Sequence, residues 1–165
     1  MSQDAIVMLK ADHKEVRGLF REFQKPSTTP ARRGRLVEQI NELLTVHTYI
    51  ENEVMYPRVQ ALLPELEQDV LESYEEHHVA DLLIMELVAM SPSDERFEAK
   101  ATVLIENVTH HIEEEEQEWF PKVREGLSRT QLRELGDELA AAKEKAPRRP
   151  EQPSALKKTL DAVIS

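Results

Sequence analysis

The chain has 165 residues, enough for one domain with a buried core, and its 21 Lys and Arg against 32 Asp and Glu leave a formal net charge of −11. That balance opposes a nucleic-acid backbone or an anionic membrane surface as partner, and the absence of cysteine excludes disulfides, thiolate metal sites, iron–sulfur clusters and cysteine nucleophiles. With only four glycines and 32% charged residues, the composition is that of an all-α protein.

Prolines punctuate the sequence, and the segments between them carry helical periodicity. Segment A, about residues 3–24, places Ile6, Leu9, Val16, Leu19, Phe20 and Phe23 on one face and stops before "KPSTTP". Segment B opens with Thr29 as N-cap and Pro30 in the first turn, and its stripe runs through Leu36, Ile40, Leu43, Leu44 and Val54. Pro57 is expected to kink or end it, with "RVQALL" as a further stretch of helix. Segment C runs from near Pro64 to about Met90. Segment D follows the turn "SPSDE" and runs from about 94 to 126, with Pro121 late in it. Four helices of about 30–45 Å joined by short loops predict an up-down-up-down four-helix bundle.

The expected organisation is a bundle over residues 1–127, an accessory helix over 128–146 and a tail over 147–165. Ser128 and Gln131 have capping-box spacing at the start of the accessory helix. The tail combines a proline-rich linker, "APRRPEQP", with a short amphipathic stretch carrying Leu156, Leu160 and Val163. No apolar run is long enough to span a bilayer, and "MSQDAIVMLKADHKEV" has an acid where a secretory signal carries its basic region, so a cytoplasmic protein is expected.

An internal repeat carries the chemistry. "TVHTYIENEVMYPRV" and "VTHHIEEEEQEWFPKV" share the pattern H-x-x-x-E-x5-P: His47, Glu51 and Pro57 in one, His111, Glu115 and Pro121 in the other, offset by 64 residues. The same offset carries Asp12-His13 of segment A onto Glu76-His77 of segment C. Positions i and i+4 share a helix face, so four helices would deliver four imidazoles and two carboxylates to one layer of the bundle. A single buried histidine is most often a hydrogen-bonded core residue. Six such groups in one layer would cost many kcal/mol if uncompensated, and two metal ions, each with two imidazoles and both bridged by the carboxylates, remove that cost. The mixed nitrogen and oxygen set suits iron, manganese or zinc, and room for open positions favours a redox-active metal.

Helical phase sorts the neighbours. Glu115 lies about 40° from His111, whereas Glu113 and Glu116 point well away from it. Glu118 shares the inward face where the other repeat has Val54, and is expected either around the centre or reaching out to solvent. His110 is expected at the surface, with a place in the metal shell as the alternative. Asp12 and Glu76 are expected to orient histidines or to be exposed. Tyr74, about 60° from His77, is the candidate catalytic group: a ligand or hydrogen-bond partner to a bound oxygen species, or else a core tyrosine.

The single histidine of segment A, HxxxE in B, the histidine of C and HxxxE in D, with the pairs Tyr56-Pro57 and Phe120-Pro121, resemble the hemerythrin-like (HHE cation-binding) domain over about residues 3–126. The helix-C and C-terminal features are similar to those of actinobacterial hemerythrin-like proteins. The resemblance implies a non-heme di-iron centre with an oxo or hydroxo bridge, manganese being the lesser expectation. Carried over by position, its ligands are His13, His47, Glu51, His77, His111 and Glu115. Oxygen-carrying members have a fifth histidine where this chain has Ser73, and a final aspartate where it has Glu116, so Glu115 and Glu116 both stand as candidates for that role. Two octahedral irons offer about twelve positions, of which these groups and the bridge fill roughly ten. The implied ligand is a small molecule: peroxide, oxygen or nitric oxide. The activity implied first is catalase-like peroxide disproportionation, with reversible binding, sensing or iron handling as alternatives. A monomer or small homo-oligomer is expected.

Overall fold

The computed structural model describes residues 3–149, in which every regular element is helical. Helix α1 (Ala5–Gln24) begins at Asp4, whose side chain accepts from the Ile6 and Val7 backbone N–H groups at 2.8 and 3.2 Å. Helix α2 (Pro30–Ile50) is capped by Thr29, with Pro30 in its first turn, as its sequence requires. The chain then passes through a π-helical turn (Glu51–Met55) into α3 (Tyr56–Leu62). A 3₁₀ turn (Pro64–Leu66) leads into α4 (Glu67–Ala89). Helix α5 (Phe97–Glu114) enters a second π turn (Glu115–Trp119) and continues as α6 (Phe120–Gly126). Helix α7 (Arg129–Lys145) starts at a complete capping box of Ser128 and Gln131.

The prolines explain the π turns. Pro57 and Pro121 lack an N–H, and in a regular helix each ring would clash with the carbonyl four residues back. One extra residue in the preceding turn relieves that clash. The Tyr56 N–H accordingly donates to the Glu51 carbonyl and the Phe120 N–H to that of Glu115, five residues back in both cases. The prolines therefore neither end nor sharply interrupt their helices. They widen one turn in each half, and both widened turns start on the glutamate of an HxxxE motif.

Helix α1 packs on α2 and α4 on α5. Contacts of α1 with α5 and of α2 with α4 close the bundle, and α7 lies along α1 and α2. Two apolar clusters fill the interior. One gathers Ile6, Leu9, Ile50, Met55, Phe120 and Leu132; the other Phe20, Leu36, Ile40, Ile84, Leu104 and Ile112. Because Leu132, Leu135 and Leu139 of α7 belong to the first cluster, the accessory helix shares the bundle's core. It approaches closely: a Cβ on Gly136 would sit 1.8 Å from the Gln3 carbonyl oxygen. No helix among the described residues is long and apolar enough to cross a membrane. The amphipathic stretch with Leu156, Leu160 and Val163 lies outside the described residues.

Candidate metal centre

Between the two apolar clusters lies a polar layer. His13, His47, Glu51, His77, His111 and Glu115 converge there, with exposures from 0% (Glu51) to 8% (His111), so none relies on bulk water to solvate it. Each helix hairpin supplies two histidines and one glutamate. His13 and His47 bring their Nε2 atoms to 3.2 Å, and His77 and His111 bring theirs to 3.1 Å.

Each glutamate reaches both nitrogen pairs. Glu51 Oε1 lies 2.9 Å from His47 Nε2 and 3.4 Å from His77 Nε2. Glu115 places Oε1 3.2 Å from His13 Nε2 and Oε2 3.3 Å from His111 Nε2. These contacts lack hydrogen-bond alignment: both Glu51 oxygens and Glu115 Oε1 are buried with no hydrogen-bond partner. Buried carboxylate oxygens without donors are costly. Two sets, His13–His47–Glu115 and Glu51–His77–His111, have donor atoms close enough to hold one cation each.

The outer nitrogens fix the tautomers. His47 Nδ1 donates to Asp12 Oδ2 at 3.0 Å, and His111 Nδ1 donates to Glu76 Oε1 at 3.2 Å. His13 Nδ1 donates to Glu116 Oε2 at 2.7 Å, and His77 Nδ1 donates to Asn52 Oδ1 at 2.8 Å. Carboxylate and amide oxygens only accept, so all four imidazoles carry a proton on the outer Nδ1 and turn Nε2 toward the centre. This is how metal-binding histidines are commonly held. The repeat extends to these partners: Asp12 matches Glu76, and Asn52 matches Glu116, at the offset of 64.

Electrostatics give the same picture. Burial alone would push His47 down, but the Glu51 and Asp12 carboxylates outweigh it and hold its pKa up at about 10. His111 is raised well above the usual histidine value against the same burial, by Glu115 and Glu76. Burial pushes Glu115 up, yet His111 and His13 bring it well below the usual carboxylate range. Without a metal, protons on imidazole occupy the role of the missing positive charge, and a cation would displace them.

The residues singled out from the sequence are placed as follows. Asp12 and Glu76 each take a histidine Nδ1, and Asp12 is also bound by Lys143 Nζ at 2.7 Å. His110 is at the surface, paired with Glu114 at 3.1 Å. Glu118 is exposed. Glu116 does not point away. The π turn rotates the face that follows His111, so Glu115 enters the centre while Glu116 reaches His13. Tyr74 does not reach the ligand atoms: it is half-buried, its hydroxyl donates to the Asn52 carbonyl at 3.4 Å, and its ring packs edge-on against Tyr56 at 5.4 Å.

The hydroxyl that faces the centre belongs to Tyr56. It donates to Glu115 Oε2 at 2.8 Å and lies 3.2 Å from His77 Nε2 and 3.5 Å from His111 Nε2. Burial, with the Glu115 and Glu51 charges, raises its pKa well above the ordinary phenol value. Its signal was the aromatic before each proline. On a regular helix Tyr56 lies about 180° from His47, and the π turn after Ile50 brings it round.

A cavity of about 60 Å³ adjoins the four histidines on the side of Val16, Leu44, Ala80, Val108 and Ile112. The space takes only a small molecule.

Residues 4–123 match the family model described as the hemerythrin HHE cation-binding domain. Among solved structures, the chain is similar to a hemerythrin HHE cation-binding domain-containing protein from Mycobacterium kansasii. The TM-score is 0.71 at 24% identity, covering 87% of this chain and 86% of that one. Among curated proteins it is 34% identical over 142 residues to a protein of Nostoc sp. named a DNA nickase. The match takes in 86% of this chain but only 40% of the relative's length.

Proposed function

The chain belongs to the hemerythrin HHE cation-binding domain family, and on that premise we propose that it holds two iron ions and disproportionates hydrogen peroxide. His13 and His47 would hold one ion and His77 and His111 the other, Glu51 and Glu115 would serve both, and an oxo or hydroxo group would complete the set; manganese is the second choice. One observation carries the proposal. Four inward imidazole Nε2 atoms and three unpartnered carboxylate oxygens share one buried layer, beside a cavity of about 60 Å³.

Bound there, an iron pair supplies reversible two-electron exchange with a small oxidant. In the net reaction one peroxide loses two electrons and two protons and leaves as dioxygen. The other gains them, its O–O bond breaks, and two waters leave. The chain's own residues position the reactants and move protons. Tyr56 Oη holds its proton at neutral pH and donates to an oxygen atom in the centre. Glu115 Oε2 accepts a hydrogen bond from that hydroxyl and fixes its direction. Val16, Leu44, Ala80, Val108 and Ile112 restrict the cavity to small molecules and exclude bulk water.

The test is to load the protein with iron, add peroxide and follow oxygen with an electrode. One dioxygen per two peroxides is expected. A stable coloured adduct without oxygen release would replace turnover with reversible binding of oxygen or nitric oxide. DNA nicking is not carried over: the chain spans about two-fifths of the nickase, and its net charge of −11 repels a phosphate backbone. Relaxation of supercoiled plasmid by the metal-loaded chain would reinstate it.

A further inference from the structure

A second pocket opens on the other side of the centre, where α4 faces α5, the second π turn and α6. Its walls are two helix stripes. Asp69, Glu72 and Glu76 lie three and four residues apart on α4, with Ser73 beside Glu72, and Glu114, Glu118 and Lys122 follow at four-residue spacing opposite. Five carboxylates therefore ring the opening against one cation, Lys122, which is itself tied to Asp69 at 3.3 Å. Glu72 and Glu118 are exposed and make no salt bridge among the described residues. Ser73 turns its hydroxyl back onto the Asp69 carbonyl at 3.0 Å, so a short side chain leaves the passage open.

What lies at the bottom distinguishes this pocket from an ordinary acidic surface. His111 and Glu115 line it. Glu115 is 3% exposed, and its Oε1 has no hydrogen-bond partner. Trp119 also lines the pocket, and its indole N–H is buried without an acceptor. Beside the rim, Glu76, His110 and Glu114 bring three donor atoms close enough to hold one cation, and two of those residues also line the pocket.

We infer that this pocket is the port through which divalent cations enter the centre, with Glu72 and Glu118 attracting the ion and Glu76, His110 and Glu114 holding it before transfer to Glu115. The inference rests on the two-ion reading above. A cleft lined by one sign of charge, with low-dielectric walls, concentrates counter-ions and accelerates their entry. Successive carboxylates can replace the waters a hydrated ion sheds. The histidine-side cavity lacks that imbalance: two carboxylates, Asp12 and Glu76, are matched there by two cations, Lys143 and Arg148.

The experiment mixes metal-free protein with cobalt(II) in a stopped-flow instrument and follows the visible absorption of the bound ion. Final stoichiometry is measured separately by elemental analysis. Glu72→Lys with Glu118→Lys should slow uptake roughly tenfold at low ionic strength, leaving final stoichiometry and spectrum unchanged. The difference should shrink in high salt. Glu134→Lys with Glu144→Lys on α7 changes the net charge equally, away from the pocket, and should slow uptake far less. Equal slowing by both pairs, or none by the first, overturns the port while leaving the two-ion centre standing. Failure of the unmodified protein to bind cobalt overturns both.

Discussion

The two hairpins that make the centre differ in a telling way. The α1–α2 half supplies Asp12, His13, His47, Glu51, Asn52 and Tyr56; the α4–α5 half supplies Glu76, His77, His111, Glu115, Glu116 and Phe120. Atoms that face the middle of the layer are duplicated: two Nε2 atoms and one carboxylate from each half. Differences appear one step outward. His13 gives its outer proton to a carboxylate, Glu116, whereas His77 gives its own to a neutral amide, Asn52. Phe120 stacks on His13 at 5.8 Å, while Tyr56 turns a hydroxyl toward His77 and His111. The repeat thus builds two equal grips and places unequal chemistry around them. A hydroxyl faces the His77–His111 pair, and an apolar ring covers His13.

Four kinds of perturbation break or sharpen that contrast. The largest effect is expected from the shared grip itself. Glu51→Ala with Glu115→Ala should abolish binding of the pair, whereas His77→Ala alone should leave one ion per chain, read by elemental analysis. Next comes Tyr56→Phe, which makes the halves alike. Peroxide turnover should fall roughly a hundredfold at unchanged metal content, and the metal-free protein should lose about 1–2 kcal/mol in urea unfolding, because Glu115 Oε2 loses its donor.

A smaller effect should follow from the outer acceptors. Glu116→Ala should weaken the His13–His47 ion by roughly 10- to 100-fold, and Asn52→Ala should weaken its counterpart less, since a neutral acceptor polarises the imidazole less than a charged one. Metal competition with a chelator measures both. The smallest effect concerns pH. His47 is raised from the usual value to about 10 in the metal-free protein. A raised histidine contributes stability fully below its unfolded pKa, near 6.5, and that contribution is lost as pH rises through about 10. The metal-free melting temperature should therefore fall across that window. The metal-loaded protein, whose imidazoles carry no inner proton, should hold steady there, and its loading should weaken as pH drops.

Much of this was legible in the sequence because the repeat is legible. The offset of 64 residues pairs the histidines without reference to structure, and the caps at Thr29 and Ser128 follow from local hydrogen-bond needs. Tyr56, Asn52 and Glu116 were hidden for one shared reason. Each lies in or just beyond a π turn, and phase counted at 3.6 residues per turn assigns such residues to the wrong face. Tyr74 looked well placed because α4 is regular there, but its hydroxyl stops at the Asn52 backbone. The acidic pocket was equally invisible, since it takes two helices to turn scattered glutamates into a ring.

The most direct test of the paired grip is anomalous diffraction at the iron edge on crystals of the loaded protein. Two peaks roughly 3–4 Å apart are predicted, one against His13 and His47 and the other against His77 and His111. A single peak midway between the histidine pairs, or density only at the surface cluster of Glu76, His110 and Glu114, would contradict it.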